Sequence, residues 1–368
     1  MPVLLDGGSS YYQSFAAVED LRGKPRPEFH EGAANCIDLG LVNNMPDSAL
    51  ETTERQVLKL LDAAADDILV RWKLYSLPNV PRSDLGQRHI AHHNYLGSDE
   101  LLNGHLDGLI VTGAEPRVPN LTEEPYWSTL TQVLDWAGES TFSTIWSCLA
   151  VHAAVFHFDG IYRRALDNKC FGIFDFDQVS HHPVLNGVPS RLRTPHSRWN
   201  EVEGDALMSC GYTILTRSEE SGVDTFVKQR KSLFVFFQGH PEYEPRTLLG
   251  EYRRDIGRFL RKERDNYPAT PSNYFDGEAE AVLRVFKEQA LSDRRGELLA
   301  SFPYGLLATN LSHAWREAAI QLYRNWLQYI SVQKASRGQH AAKSSVSISQ
   351  VVNLHSGYNQ LPKAIISH

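Results

Sequence analysis

The chain has 368 residues, 42% of them hydrophobic and 22% charged, and a formal net charge of −7. That is enough apolar material for one large α/β domain of ~200–250 residues with extensions. The acidic balance argues against a nucleic-acid surface, and no apolar run approaches the ~20 residues of a membrane helix.

In chain order, residues 1–34 mix Gly, Ser, Pro and charge without a sustained period, which predicts an irregular arm. No basic segment precedes an apolar run there, so no signal peptide is expected. Residues 37–42 read as a strand, followed by a helix with Val57, Leu60, Leu61 and Ala64 on one face. Ser48 and Glu51 have capping-box spacing for its start. Residues 68–75 form the next strand, and 106–113 a buried strand ending in a glycine turn. Glu123, Glu124 and Pro125 are expected to open a helix with a Trp127, Leu130, Val133 and Leu134 stripe. A strand over 142–147 runs at once into a helix start at Leu149. A strand over 232–237, then Gly239-His240-Pro241-Glu242 and a helix over 247–259, complete a domain expected over 35–265. Amphipathic stretches over about 277–299 and 311–332 form a C-terminal helical extension (266–333) packing on it. The Ser-, Gln-, Asn- and Lys-rich residues 334–368 read as a flexible tail.

Strands alternating with helices predict an α/β fold, its mostly parallel sheet covered by helices on both faces. Ligands gather at the carboxyl ends of such strands. Thr112-Gly113-Ala114, Ser147-Cys148 and Gly239-His240 are three of those ends.

Cys148 lies between an apolar strand and an Ala-rich helix start, the setting of a nucleophile elbow. A helix N-terminus favours the thiolate, and the following backbone N–H groups can donate to an oxyanion. Buried cysteines are more commonly small hydrophobes, so the case rests on partners. His240 and Glu242, two apart on an extended segment, face one side, and Glu242 can orient His240 as the base for Cys148. Cys36, Cys170 and Cys210 lie far apart without a CxxC pair and read as ordinary thiols, which fits a cytoplasmic protein. His89, His92 and His93 find no further residues to complete a ligand set, so no metal is expected.

Cys148-Leu-Ala-Val-His-Ala-Ala and Gly239-His-Pro-Glu-Tyr-Glu-Pro resemble segments of the homoserine O-succinyltransferase/O-acetyltransferase family, which has a class I glutamine-amidotransferase-like fold. Further similar segments at 107–114, 195–198, 251–255, 273–275 and 325–327 keep the family's order, with an apparent insertion over about 277–310. The resemblance implies a ping-pong reaction. Cys148 takes an acyl group from acyl-CoA as a thioester, and the hydroxyl of L-homoserine, activated by His240, then accepts it. Glu242 orients His240. The backbone N–H groups of Leu149, Gly113 and Ala114 would form the oxyanion hole, and Lys169, Ser197 and Arg254 would bind the amino acid. Arg254 also has the bidentate geometry that suits a carboxylate. Acyl-CoA is implied as a co-substrate, with no permanently bound cofactor. The implied partners are small molecules, and a homodimer is compatible with them.

The chain departs from the family at Asp47 and Ser48, which replace two lysines, and at Leu149 and His152, which replace Trp and Gln. It also departs in the loop 115–121, where the family sets acyl choice. Arg117 aligns with the discriminating position and can pair with the terminal carboxylate of a succinyl group, so succinyl is expected over acetyl. With the neighbouring Glu115 in the pocket instead, acetyl is expected. Another amino-acid hydroxyl is the alternative acceptor. Glutamine hydrolysis is an alternative reaction, although Trp146 and Ala150 stand where such amidases carry glycines. A non-catalytic binding role is weakened by the intact Cys148, His240 and Glu242.

Overall fold

The structure is a computed structural model that describes residues 3–5, 35–114 and 116–355, with backbone alone for 3–5 and 338–355. Its strands are β1 (Val3–Leu5), β2 (Cys36–Val42), β3 (Leu69–Tyr75), β4 (Gly108–Val111), β5 (Ser143–Ser147), β6 (Arg164–Gln178), β7 (Arg191–Glu201), β8 (Thr213–Ile214), β9 (Thr216–Ser218), β10 (Gly222–Val223), β11 (Thr225–Gln229) and β12 (Leu233–Phe237). The main sheet runs β1-β3-β2-β4-β5-β12-β11-β8. Every neighbouring pair from β1 to β12 is parallel, and β11 and β8 close the edge antiparallel. A smaller antiparallel sheet runs β10-β9-β6-β7.

A strand buried on both faces must be apolar at consecutive positions, because alternate side chains enter opposite layers. In β12, Leu233, Val235 and Phe237 enter one core while Phe234 and Phe236 enter the other. At ~1.5–3 kcal/mol per fully buried large apolar side chain, this strand alone is strongly committed to the centre of the sheet. The first core is roofed by helices Leu50–Ala64 and Arg316–His355, which contribute Leu60, Leu61, Leu322, Trp326 and Ile330. The second is covered by Trp127–Ser140 and Leu149–Asp159 through Leu134, Ala137, Val151 and Val155. The α/β expectation with helices on both faces is met.

The expected insertion folds as helix Gly277–Ser292, a 3-10 stretch Gly296–Ser301 and helix Tyr304–Leu307. Leu283, Phe286, Phe302 and Leu307 pack with Tyr252, Ile256 and Phe259 of helix Thr247–Leu260. This helix carries part of the site, so the insertion supports it from behind.

Several local expectations are corrected. Val3–Leu5 is a strand pairing with β3, Val3 beside Val70; three apolar residues suffice to extend an open parallel edge. The rest of the 1–34 arm lies outside the described residues. Ser48 caps nothing: Asp47–Ala49 is a 3-10 turn running directly into the helix at Leu50, without a side-chain cap bond. Asp47 instead accepts from Ser83 N at 2.7 Å and pairs with Arg82. Glu123 and Glu124 precede the helix that begins at Trp127, because Glu124 is used as an acceptor for a loop.

The tail expected from 334 is helical as far as His355. The segment is polar but free of proline, and its Ala, Gln, Lys and Arg favour helix. Its first residue is anchored: Lys334 Nζ donates to Asp107 Oδ2 at 2.6 Å and to Cys36 O at 2.9 Å. Residues 356–368 lie outside the described residues. Truncation after residue 333 removes the ammonium from an Asp107 carboxylate that is 0% exposed. The expected loss is about 3 kcal/mol, the low end for breaking a buried pair, because Lys334 is itself partly exposed. It should appear as a lower urea midpoint with little change in slope. An unchanged midpoint would show that Lys334 is not an anchor.

Candidate active site

β5 and β12 end side by side, with Ser147 in register with Phe237. The next amide continues the ladder: Cys148 N donates to Phe237 O at 2.9 Å. Cys148 has φ 54 and ψ −116 and immediately precedes helix Leu149–Asp159. A non-glycine residue in that region stores on the order of 1–3 kcal/mol of strain and persists only where its surroundings impose it. Leu149 N, the first helical amide, has no intrahelical acceptor. Gly113, at the end of β4, presses against it, since a Cβ there would lie 2.7 Å from Leu149 N. Leu149, Gly113 and Ala114, the residues expected to supply the oxyanion amides, all line the cavity that Cys148 lines.

His240 is buried, and its Nδ1 lies 2.8 Å from Glu242 Oε1. An ionised carboxylate only accepts, so Nδ1–H donates to it and Nε2 is left for other partners, with Cys148 lining the same cavity. Tyr243 stacks on the imidazole at 4.2 Å. Burial works against charge on His240, but the Glu242 carboxylate and the Cys148 contact outweigh it and hold its pKa well above the usual histidine value. Chemically, this is a thiol beside a strong, oriented base.

A second buried cluster fixes the turn that carries His240. Asp224 Oδ1 accepts the Gly239 N–H at 2.8 Å, and His240 N donates to Pro195 O at 2.8 Å. A Cβ on Gly239 would lie 2.6 Å from His196 Nε2, so only glycine fits there. Arg198 Nε donates to His196 Nδ1 at 3.2 Å. Burial pushes the Asp224 carboxyl above its usual range and the His196 imidazole well below its own. Sequence reasoning misses Asp224, because 15 residues separate it from the amide it holds.

One cavity of about 300 Å³ is lined by Cys148, His240, Lys169, Ser197 and Arg254, so the structure brings these expected residues together. Lys169 Nζ reaches Asp255 Oδ2 at 3.1 Å and Glu251 Oε2 at 3.7 Å, above the Phe171 ring. Ser197 Oγ donates to Glu251 Oε2, and Tyr243 OH donates to Glu251 Oε1 at 2.6 Å. Arg254 Nε lies 3.3 Å from Asp255 Oδ1. Burial alone would raise the Asp255 carboxyl, but Lys169 and Arg254 more than offset it and hold it below the usual range. Sequence reasoning gives Glu251 and Asp255 no role. Their signal is the 251, 254, 255, 258 spacing, which puts two acids and two arginines on one helix face.

Arg117 is not in this cavity. It lines an adjoining one of about 700 Å³ that shares Pro116, His152 and Asn200 with it and also holds Arg163. Glu124 Oε1 accepts the Arg117 and Val118 amides at 2.6 and 3.2 Å, and Arg163 Nη2 donates to Pro119 O at 2.7 Å. The loop is thus held from both sides. Glu115, the competing residue for acyl choice, lies outside the described residues. His89 sits away from the site, paired with the buried Glu54 at 2.7 Å.

An α/β sheet with a strained cysteine at one strand end and an imidazole–carboxylate pair at the next defines the class of hydrolase- and transferase-like elbow proteins. The homoserine O-succinyltransferase family model matches residues 28–337. A homoserine O-succinyltransferase from Rhodopseudomonas palustris is 46% identical over 80% of this chain and 88% of its own length. One from Methylorubrum extorquens is 47% identical over 80% and 87%. The chain belongs to the homoserine O-succinyltransferase family. Among solved structures, a glutamine amidotransferase from Methylobacillus flagellatus aligns over 81% of this chain and 96% of its own, at 11% identity and a TM-score of 0.43.

The raised His240 pKa carries a stability signature. Charge on His240 stabilises the fold fully below its unfolded value of about 6.5, and that stability is lost as pH rises through the higher folded value. Glu242→Gln removes the main raising partner. The melting-temperature gap between wild type and this variant should be widest below about pH 6.5 and narrow as pH rises through the folded value. A gap that widens with pH would contradict the assignment.

Proposed function

We propose that the protein moves a succinyl group from succinyl-CoA to the hydroxyl of L-homoserine through a thioester on Cys148, a step of methionine biosynthesis. The observation that carries this reading is the strained Cys148 in one cavity with the Glu242-paired His240, Lys169, Ser197 and Arg254. The Cys148 sulfur attacks the thioester carbonyl with its proton already held by His240, whose pKa is raised. The oxyanion meets the Leu149, Gly113 and Ala114 amides, the C–S bond to CoA breaks, and His240 returns the proton to the leaving thiolate. Homoserine then enters, with its carboxylate on Arg254 and its ammonium toward Glu251 and Asp255. His240 takes its hydroxyl proton as oxygen attacks the thioester, and Cys148 leaves as the thiolate. Glu242 holds the imidazole tautomer throughout. Acyl-CoA is a co-substrate, and the four unpaired cysteines suit a reducing, cytoplasmic setting.

The acyl chain points toward the adjoining cavity, where Arg117 meets the terminal carboxylate, with Arg163 as a second cation in the same space. Cys148→Ala should abolish succinyl transfer to homoserine. His240→Asn should cost about 10²–10⁴-fold in kcat, the range for a general base, and Glu242→Gln less. Near-wild-type turnover in the alanine variant would remove Cys148 from the mechanism.

Arg117→Glu should lower the kcat/KM ratio of succinyl-CoA to acetyl-CoA by about 10–100-fold, the equivalent of one charge-assisted hydrogen bond. An unchanged ratio would exclude Arg117 from acyl choice.

A further inference from the structure

We propose that Glu124 is a positioning residue for acyl choice: together with Arg163 it fixes the loop 116–121 and so sets where Arg117 stands. The inference rests on the acyl-transfer reading above and adds what holds the specificity loop of that reading in place.

The backbone of the loop defines what a clamp must supply. Ordering any loop is opposed by the conformational entropy of each of its residues. Pro116 and Pro119 reduce that opposition by fixing their φ, but neither has an N–H to donate. The amides between them belong to Arg117 and Val118, and Glu124 Oε1 accepts both, at 2.6 and 3.2 Å. On the acceptor side, Pro119 O takes a hydrogen bond from Arg163 Nη2 at 2.7 Å. A carboxylate thus serves the two donors and a guanidinium the carbonyl, each through a charge-assisted bond, the stronger kind.

Glu124 follows the 3-10 turn Leu121–Glu123 and precedes helix Trp127–Ser140, yet its carboxylate caps neither. The turn is capped by Asn120, whose Oδ1 accepts the Thr122 N–H at 3.2 Å, and the helix begins without a side-chain cap bond. Glu124 is nevertheless 3% exposed. A carboxylate is kept at such burial where hydrogen bonds and opposite charge compensate it. Here these come from the two loop amides and from Arg163, which feels the Glu124 charge. The adjacent Glu123 is exposed and accepts from Asn120 Nδ2 at 3.2 Å.

Arg163 ties the loop to the nucleophile. It lies just beyond helix Leu149–Asp159, which starts directly after Cys148 and ends on Gly160 with φ 66. His152 and Phe156, one turn apart on that helix, share a face and line the Arg117 cavity with the loop. The helix therefore carries Cys148 at its start, part of the cavity wall in its middle and, past its end, the guanidinium that holds Pro119. Loop and thiol refer to one rigid element, so the span from the thioester carbon to Arg117 is set by the fold. Without the Glu124 half, the Arg117 and Val118 amides lose their acceptor and Arg117 loses its fixed place. An acetyl group ends before Arg117, so its transfer does not depend on where the loop stands.

The test measures kcat/KM for succinyl-CoA and acetyl-CoA in wild type, Glu124→Ala, Glu124→Gln, Arg117→Ala, the Arg117→Ala/Glu124→Ala pair and, as a control, Glu123→Ala. Glu124→Ala should lower the succinyl-to-acetyl ratio by about 10-fold while the acetyl value stays within about 3-fold of wild type. Glu124→Gln, whose amide oxygen can still accept both N–H groups, should recover most of the ratio, and Glu123→Ala should leave it unchanged. In the Arg117→Ala background, Glu124→Ala should move the ratio no further, because it acts through Arg117. An unchanged ratio in Glu124→Ala would overturn the assignment. So would an equal fall for both donors, a glutamine variant no better than alanine, or a further fall of the same size in the Arg117→Ala background.

Hydrogen exchange judges the clamp without any turnover. In Glu124→Ala the Arg117 and Val118 amides should exchange about 10-fold faster or more than in wild type, with no change in β5. Unchanged exchange at both amides would overturn the clamp even if the ratio moves. If Cys148 accepts no acyl group, the transfer reading fails and these exchange rates alone decide the clamp.

Discussion

β5 and β12 run parallel and stop together, and the Cys148 amide closes their ladder on the Phe237 carbonyl. The rest of the site depends on that shared ending. With the amide held at this point and the helix starting one residue later, Cys148 is forced into its strained dihedrals, and it lines the site cavity. β12 continues through Gln238 and Gly239 to His240, so the base arrives beside the thiol without a long or adjustable connection. A slip of one residue in this pairing would exchange the core faces of Phe236 and Phe237 as well as separate Cys148 from His240. The cores on both sides of the sheet therefore defend the geometry of the site.

Around this rigid pair, the polar groups are arranged in two tiers. Behind His240, Asp224, His196 and Arg198 grip the Gly239 turn in a fully buried cluster. In front, helix Thr247–Leu260 turns its acidic and basic face to the cavity while Tyr252, Ile256 and Phe259 pack against the inserted helices. The insertion thus stiffens the helix that presents Arg254 and Asp255. Glu251 ties three separate segments together, taking bonds from Ser197 and Tyr243 and lying near Lys169.

The pieces legible in the sequence were those with a short-range signal. The strand and helix periods placed the sheet, and the elbow context of Cys148 with the two-residue spacing of His240 and Glu242 named the residues that the structure brings together. Lys169, Ser197 and Arg254 carried no such local signal and were reachable only through the family resemblance. Asp224 and Arg163 were not legible, because each acts on backbone that is distant in the chain. The capping role expected for Ser48 failed because Asp47 is bound to Arg82 and Ser83 and the helix begins after a 3-10 turn. The helix beyond residue 334 was hidden by its polar composition and Gly338, which resemble a loop, although the segment holds no proline. Arg117 shows the limit of alignment in loops: its backbone is held by Glu124, and its side chain lines the next cavity along.

The central claim is that the acyl group rests on Cys148 between the two substrates. Rapid mixing of the protein with succinyl-CoA alone, acid quenching and mass spectrometry of the intact chain and its peptides tests it most directly. The account predicts the mass of one added succinyl group on the peptide containing Cys148, with one CoA released per chain, and loss of that mass when homoserine is added. Homoserine succinylation proceeding at full rate with no acylated chain detectable at any time would contradict it.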